Sequence, residues 1–165
     1  MLPPSLPRVV KEIWKSLRSA ISSHLAGERI LLTLWVGGLW TVGYVVAPAL
    51  FANLDDRALA GTLAGIMFGI MAWIGLLCAV LLLLSNQIRN PQHRLNWRAL
   101  VLLAMLVLTL IGQFLLAPMI ADMRMAGGSD QAEFARLHGA ASVGYLITSL
   151  LGLVLVTAPA QAPNL

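Results

Sequence analysis

The chain has 165 residues, of which 59% are hydrophobic and only 11% charged, with a mean hydropathy of +0.83. A soluble domain of this size carries roughly twice as many charges, about 25%. The net charge of +4 and pI near 10 would suggest nucleic acid in a soluble protein, but here the basic residues flank apolar runs and read as topology and headgroup signals, so no nucleic-acid partner is expected.

Residues 1–27 form a leader of their own. Val10, Ile13, Trp14, Leu17, Ile21 and Leu25 recur at helical spacing, while Arg8, Lys11, Glu12, Lys15 and Arg18 lie mostly off that stripe. Pro7 suits a helix start, where its missing N–H is no loss. The pattern predicts an amphipathic helix on the cytoplasmic leaflet, with a partner-binding helix as the alternative.

A four-span membrane domain, 28–158, follows. No charge lies between Arg29 and Asp55, between Arg57 and Arg89, between Arg98 and Asp122, or after Arg136. Each stretch exceeds the roughly 20 apolar residues that cross a hydrocarbon core as helix. The spans are placed at about 30–54, 58–84, 99–120 and 137–158, giving an all-α bundle of two antiparallel hairpins. Length and the absence of alternation exclude barrel strands. Ala47-Pro48-Ala49 imitates a cleavage site, but the charged leader and the apolar stretch before it are too long for a signal peptide. The three-residue connector Asp55-Asp56-Arg57 forces the first two spans to be antiparallel neighbours, and its aspartates suit the start of the second helix. The tail 159–165 reads as disordered.

Charge also sets the orientation. Arg8, Lys11, Lys15, Arg18, Arg29, Arg89, Arg94 and Arg98 fall on one side, and only Arg57, Arg124 and Arg136 on the other. The positive-inside rule then predicts a multi-pass inner-membrane protein with both termini cytoplasmic.

The two hairpins share a pattern. Gly43-Tyr44-Val45-Val46-Ala47-Pro48 resembles Gly112-Gln113-Phe114-Leu115-Leu116-Ala117-Pro118 with one inserted residue, and an offset of 70 sets Phe68-Gly69 on His138-Gly139. Both hairpins run the same way, so this is a candidate parallel repeat. Pro48 and Pro118 predict kinks. Gly61, Gly65 and Gly69 stand at spacing four, the pattern of close membrane packing, which makes a homo-oligomer or a membrane-protein partner a reasonable expectation.

Chemistry is sparse. No Asp, Glu, Lys or Arg lies inside any predicted span, which argues against a pump acting through a buried carboxylate. No serine motif or carboxylate accompanies the one His at membrane level, so an enzyme is not expected. The lone Cys78 excludes an intrachain disulfide. His138 opens the fourth span, and Ser142, Tyr145 and Ser149 share its face. Thr41, Tyr44, Thr109 and Gln113 could meet them in an interhelical hydrogen-bond network. A sharper reading adds sulfur: Met67, Met71, Met119 and Met123, with Met125, lie toward the outer side, and thioethers with one imidazole suit copper as Cu(I). Methionine as an ordinary filler of gaps competes with that reading. A haem on His138 is less favoured, since His24 and His93 fall on the opposite side. Otherwise no cofactor is expected.

Leu39-Trp40, Tyr44…Ala47-Pro48…Phe51 and Phe134…Leu137-His138-Gly139 together resemble bacterial members of the transmembrane-protein-205-like family, over about residues 28–156. Gly38, Trp40, Tyr44, Pro48, His138 and Gly139 are the positions carried over. The resemblance implies a four-helix membrane bundle without an established activity, and the eukaryotic relative's link to platinum-drug resistance leans toward soft metals. The expected function is a non-enzymatic accessory or assembly protein or a small transporter, with soft-metal or small-molecule export through the His/Met site as the alternative.

Overall fold

The computed structural model describes residues 7–89, 95–125 and 131–158; side chains at 8, 11, 14–25 and 125 fall outside the described set. Its elements are α1 (Arg8–Thr41), a π-helical segment Val42–Val46, α2 (Ala47–Asn53), α3 (Arg57–Arg89), α4 (Trp97–Ile111), a second π segment Gly112–Leu116, α5 (Ala117–Met125) and α6 (Gln131–Thr157). Four spans long and apolar enough to cross a membrane result: Ala26–Asn53, Arg57–Arg89, Trp97–Arg124 and Gln131–Thr157. The expected all-α, four-span bundle is therefore the fold.

The leader is helical, but it is not a separate piece. α1 runs unbroken from Arg8 into the first span, because Gly27 weakens a helix by only about 1 kcal/mol and no proline interrupts it. The Trp14 side chain, and with it most of the amphipathic stripe, lies outside the described set, as do His93, Arg94 and the tail from 159.

Helix starts follow their caps. Asp56 accepts from the backbone N–H of Ala58 at 2.8 Å and of Leu59 at 3.1 Å, and so performs the capping expected of the Asp55-Asp56 pair. Asn96 caps α4 through Ala99 N–H at 2.9 Å.

The spans close into a ring in which α1 and α4 each pack on both α3 and α6. Lipid is as apolar as a leucine side chain, so apolar burial alone does not hold such helices together; fitted packing and polar contacts must. The fit comes from glycines used as notches. Trp35 of α1 fills the space a Cβ at Gly75 would need, and Val36 and Met105 do the same at Gly152. Trp35 and Met105 are fully buried, and Cys78, Ser149 and Leu155 complete the sealed middle layer. Trp73, Leu77, Val80, Val107, Val143 and Leu150 point outward and form the lipid-facing belt.

The glycine run of the second span behaves less uniformly than its spacing suggested. Gly61 lies under the Arg124 guanidinium and Gly69 faces Gln113, whereas Gly65 has nothing within 4 Å. Two of the three serve side chains of the third span, and among the described residues no close helix–helix contact follows the whole run.

An offset of 70 carries the π segment 42–46 onto 112–116 and Ala47-Pro48 onto Ala117-Pro118, with no insertion. Gly43 thus corresponds to Gln113 and Tyr44 to Phe114, which corrects the gapped alignment. The same offset pairs buried positions: Glu28 with Arg98, Leu32 with Leu102, Trp35 with Met105, Cys78 with Thr148, Ala79 with Ser149 and Leu82 with Gly152. At this offset α1 corresponds to α4 and α3 to α6.

Candidate functional site

Two polar constructions stand out, one at each level of the bundle. The first is built on the prolines. A proline ring collides with the carbonyl four residues back in a regular helix. Here each chain widens by one residue first: Ala47 N–H bonds Val42 O and Ala117 N–H bonds Gly112 O, five residues back. The expected kinks are thus realised as paired π segments, which occur frequently at functional sites.

At the first of these, Tyr145 of α6 enters the opened ladder. Its hydroxyl donates to Leu39 O at 2.6 Å. Leu39 O is the carbonyl that Gly43 N–H reaches in a regular helix, and here it takes the phenol's donor beside Val42 N–H. Only glycine fits at 43, because a Cβ there would lie 3.0 Å from Tyr145 Cζ and closer still to the ring edge. Phe68 meets the Tyr145 ring edge-on at 5.0 Å, and Tyr44 stacks obliquely on Trp40 at 4.7 Å.

Of the hydrogen-bond network expected around His138, this crossing is the part that exists among the described residues. Ser142, Ser149 and Thr109 bond back to carbonyls of their own helices, those of His138, Tyr145 and Met105. Serine and threonine do this readily in helices and so drop out of interhelical contacts.

The sequence-predicted sulfur and imidazole residues occupy different environments. Met71 is buried in the core, its thioether filling the notch at Gly38. Met67 and Met123 are half-buried, and Met119 is exposed. His138 is exposed on α6 with its ring stacked on Phe134, centroids 5.9 Å apart. The geometry brings Met71 to Gly38 rather than to His138. Of the family-motif positions, Gly38, Trp40, Tyr44 and Pro48 gather around the first π segment; Gly139 is exposed with open space about it.

The second construction went unrecognised in the sequence. Glu28 of α1 binds Arg89 of α3 through Oε2 and Arg98 of α4 through Oε1, each at 2.5 Å. Glu28 and Arg98 are buried and Arg89 is half-buried. Asn86, also buried, accepts from Asn96 Nδ2 at 3.0 Å, so Asn96 links this cluster to the α4 cap. Arg98 also lies 5.6 Å from the Trp97 ring centre. At the ends of spans, Arg89 and Arg98 carry the topology signal whether or not they pair with Glu28. The available signal was a lone acid at the head of the first span among basic residues on the same side. A charge buried this far persists only when paired.

The fold and these two clusters define a multi-pass helical membrane protein made of two corresponding hairpins. Residues 30–129 match the family described as a domain of unknown function (DUF4149), and the chain belongs to that family. The match takes in both π segments and Gly38, Trp40, Tyr44 and Pro48, and stops before His138 and Tyr145. No curated protein and no solved structure matches the chain.

Proposed function

We propose that the protein is a non-enzymatic accessory or assembly protein of the bacterial inner membrane, with both termini cytoplasmic, acting through lipid and a membrane-protein partner or second copy. The observation that supports this reading is the closely packed middle layer, where Trp35 and Met105 are 0% exposed and fill the notches at Gly75 and Gly152. The basic leader and the Arg89/Arg98 end favour the cytoplasmic placement of that side. The kinship with transmembrane-protein-205-like proteins rests on the motif around the first π segment, which belongs to the same four-helix plan.

The competing reading is soft-metal export, with His138, Met67, Met71, Met119 and Met123 as ligands for copper. Burial of Met71 against Gly38 and exposure of His138 weigh against a common site. The test is Cu(I) uptake by proteoliposomes together with elemental analysis of the purified protein, wild type beside His138→Ala. The accessory reading expects uptake equal to empty liposomes and no bound metal in either protein. Stoichiometric copper lost in His138→Ala, or protein-dependent uptake, would establish the exporter.

A further inference from the structure

We infer that the outward face of α1 docks a second copy of the chain, hydroxyl against hydroxyl, near the middle of the membrane. Thr33, Gly37, Trp40, Thr41 and Tyr44 recur at helical spacing, and all five are exposed. They face away from the core, into which Trp35, Val36 and Leu39 turn. The first span runs from Ala26 to Asn53, so its midpoint falls between Leu39 and Trp40. At about 1.5 Å of rise per residue, all five stand within about 10 Å of that midpoint, inside a hydrocarbon core about 30 Å thick.

The polar groups of this face find no partner within the chain. Thr62, Thr109, Thr148 and Thr157 each return their hydroxyl to the carbonyl four residues back, which satisfies a threonine locally in a membrane helix. Among the described residues, Thr33 and Thr41 make no such bond, and neither the Tyr44 hydroxyl nor the Trp40 indole N–H has a hydrogen-bond partner. Tyrosine and tryptophan ordinarily sit at headgroup level, where their polar ends are wet. Lipid tails offer neither donor nor acceptor, so bare hydrocarbon would leave all four groups dry and unpaired. Leu77, Val80, Val107, Val143 and Leu150, on the lipid-facing belt, are wholly apolar by contrast.

The chemistry of the face selects its own copy. A hydroxyl both donates and accepts, so Thr33, Thr41 and Tyr44 can pair with the same residues across a two-fold axis and can also accept from the donor-only indole. Copies inserted in the same direction are related by an axis along the membrane normal, which sets α1 parallel beside α1. Gly37 lies in the middle of the face, and a Cβ there would meet nothing within 4 Å. A neighbouring helix can therefore approach closely enough for these short side chains to meet. The dimer supposes the accessory reading, in which the chain acts through a partner or a second copy.

The test is cross-linking of the full chain in liposomes under mild oxidation, in a Cys78→Ala background, with Gly37→Cys beside Val107→Cys. Gly37→Cys should give a disulfide-linked dimer, and Val107→Cys, on the lipid-facing belt, should not. Thr41→Val with Tyr44→Phe keeps the shape of the face and removes two hydroxyls. Förster transfer between N-terminally labelled chains, followed as lipid dilutes the protein, should show association weakened about tenfold in that double variant. Equal cross-linking at the two positions, wild-type transfer no greater than random collision gives, or unchanged transfer in the double variant overturns the proposal. Cross-linking of Gly37→Cys to a different protein in native membranes, with the purified chain monomeric, overturns the second-copy assignment and leaves the accessory reading standing. Protein-dependent Cu(I) uptake would end the accessory reading whatever the cross-linking shows.

Discussion

Replacing Gly43 by alanine tests how the first π segment is held. The new Cβ would stand 3.1 Å from the Tyr145 hydroxyl and nearer the ring edge, so the ring must leave. Its departure breaks the 2.6 Å bond to Leu39 O and the edge contact with Phe68. Membrane hydrogen bonds contribute about 0.6–1.7 kcal/mol by double-mutant cycles, and aromatic edge contacts about 0.5–1.5 kcal/mol. Gly43→Ala should therefore destabilise by about 2 kcal/mol, against a gain of up to about 1 kcal/mol in helix propensity where the space is free. The assay is a double-mutant cycle with Tyr145→Ala, read by unfolding in mixed micelles. In the Tyr145→Ala background the clash is gone, and Gly43→Ala should be neutral or stabilising. A coupling energy of about 2 kcal/mol is the expected result. Additive effects within about 0.5 kcal/mol would refute the idea that this glycine exists to admit the phenol.

Other expectations concern the basic end and the α4 cap. Glu28→Gln takes their shared carboxylate from buried Arg98 and half-buried Arg89 and should cost about 3 kcal/mol, whereas Glu28→Gln with Arg98→Gln should recover a substantial part of it; the same unfolding assay reads both, and a single mutant within 1 kcal/mol of wild type would contradict the assigned pairing. Asn96→Ala removes a cap and the partner of Asn86 together, so its effect should exceed the roughly 1 kcal/mol of an ordinary cap. Asp56→Ala, an exposed cap without a buried neighbour, should stay near that ordinary value in the same experiment.

The spans were legible because charge-free length is a direct statement about lipid, and Asp56 was legible because capping is local chemistry. Pro48 and Pro118 announced a disturbance, but sequence alone could not choose between a kink and a widened turn, nor show that Tyr145, more than 90 residues away, meets the first opening. The repeat was visible but misaligned by one residue, since Gly43 invited a match to Gly112 when the π geometry sets it on Gln113. The Glu28 triad was hidden for a different reason: arginines at span ends carry the topology signal whether or not they are paired. His138 attracted notice for its rarity at membrane level, yet rarity says nothing about facing, and its ring lies on Phe134 at the surface.

The sealed middle layer can be tested without engineering, because the chain's single cysteine lies in it. Cys78 is 2% exposed, beside the Trp35 and Met105 layer. A membrane-impermeant maleimide applied to both sides of intact proteoliposomes should leave Cys78 unlabelled, and labelling should become complete on denaturation in SDS. Labelling of the native protein would show a water-accessible path reaching the centre of the bundle, and the accessory reading would give way to a transporter.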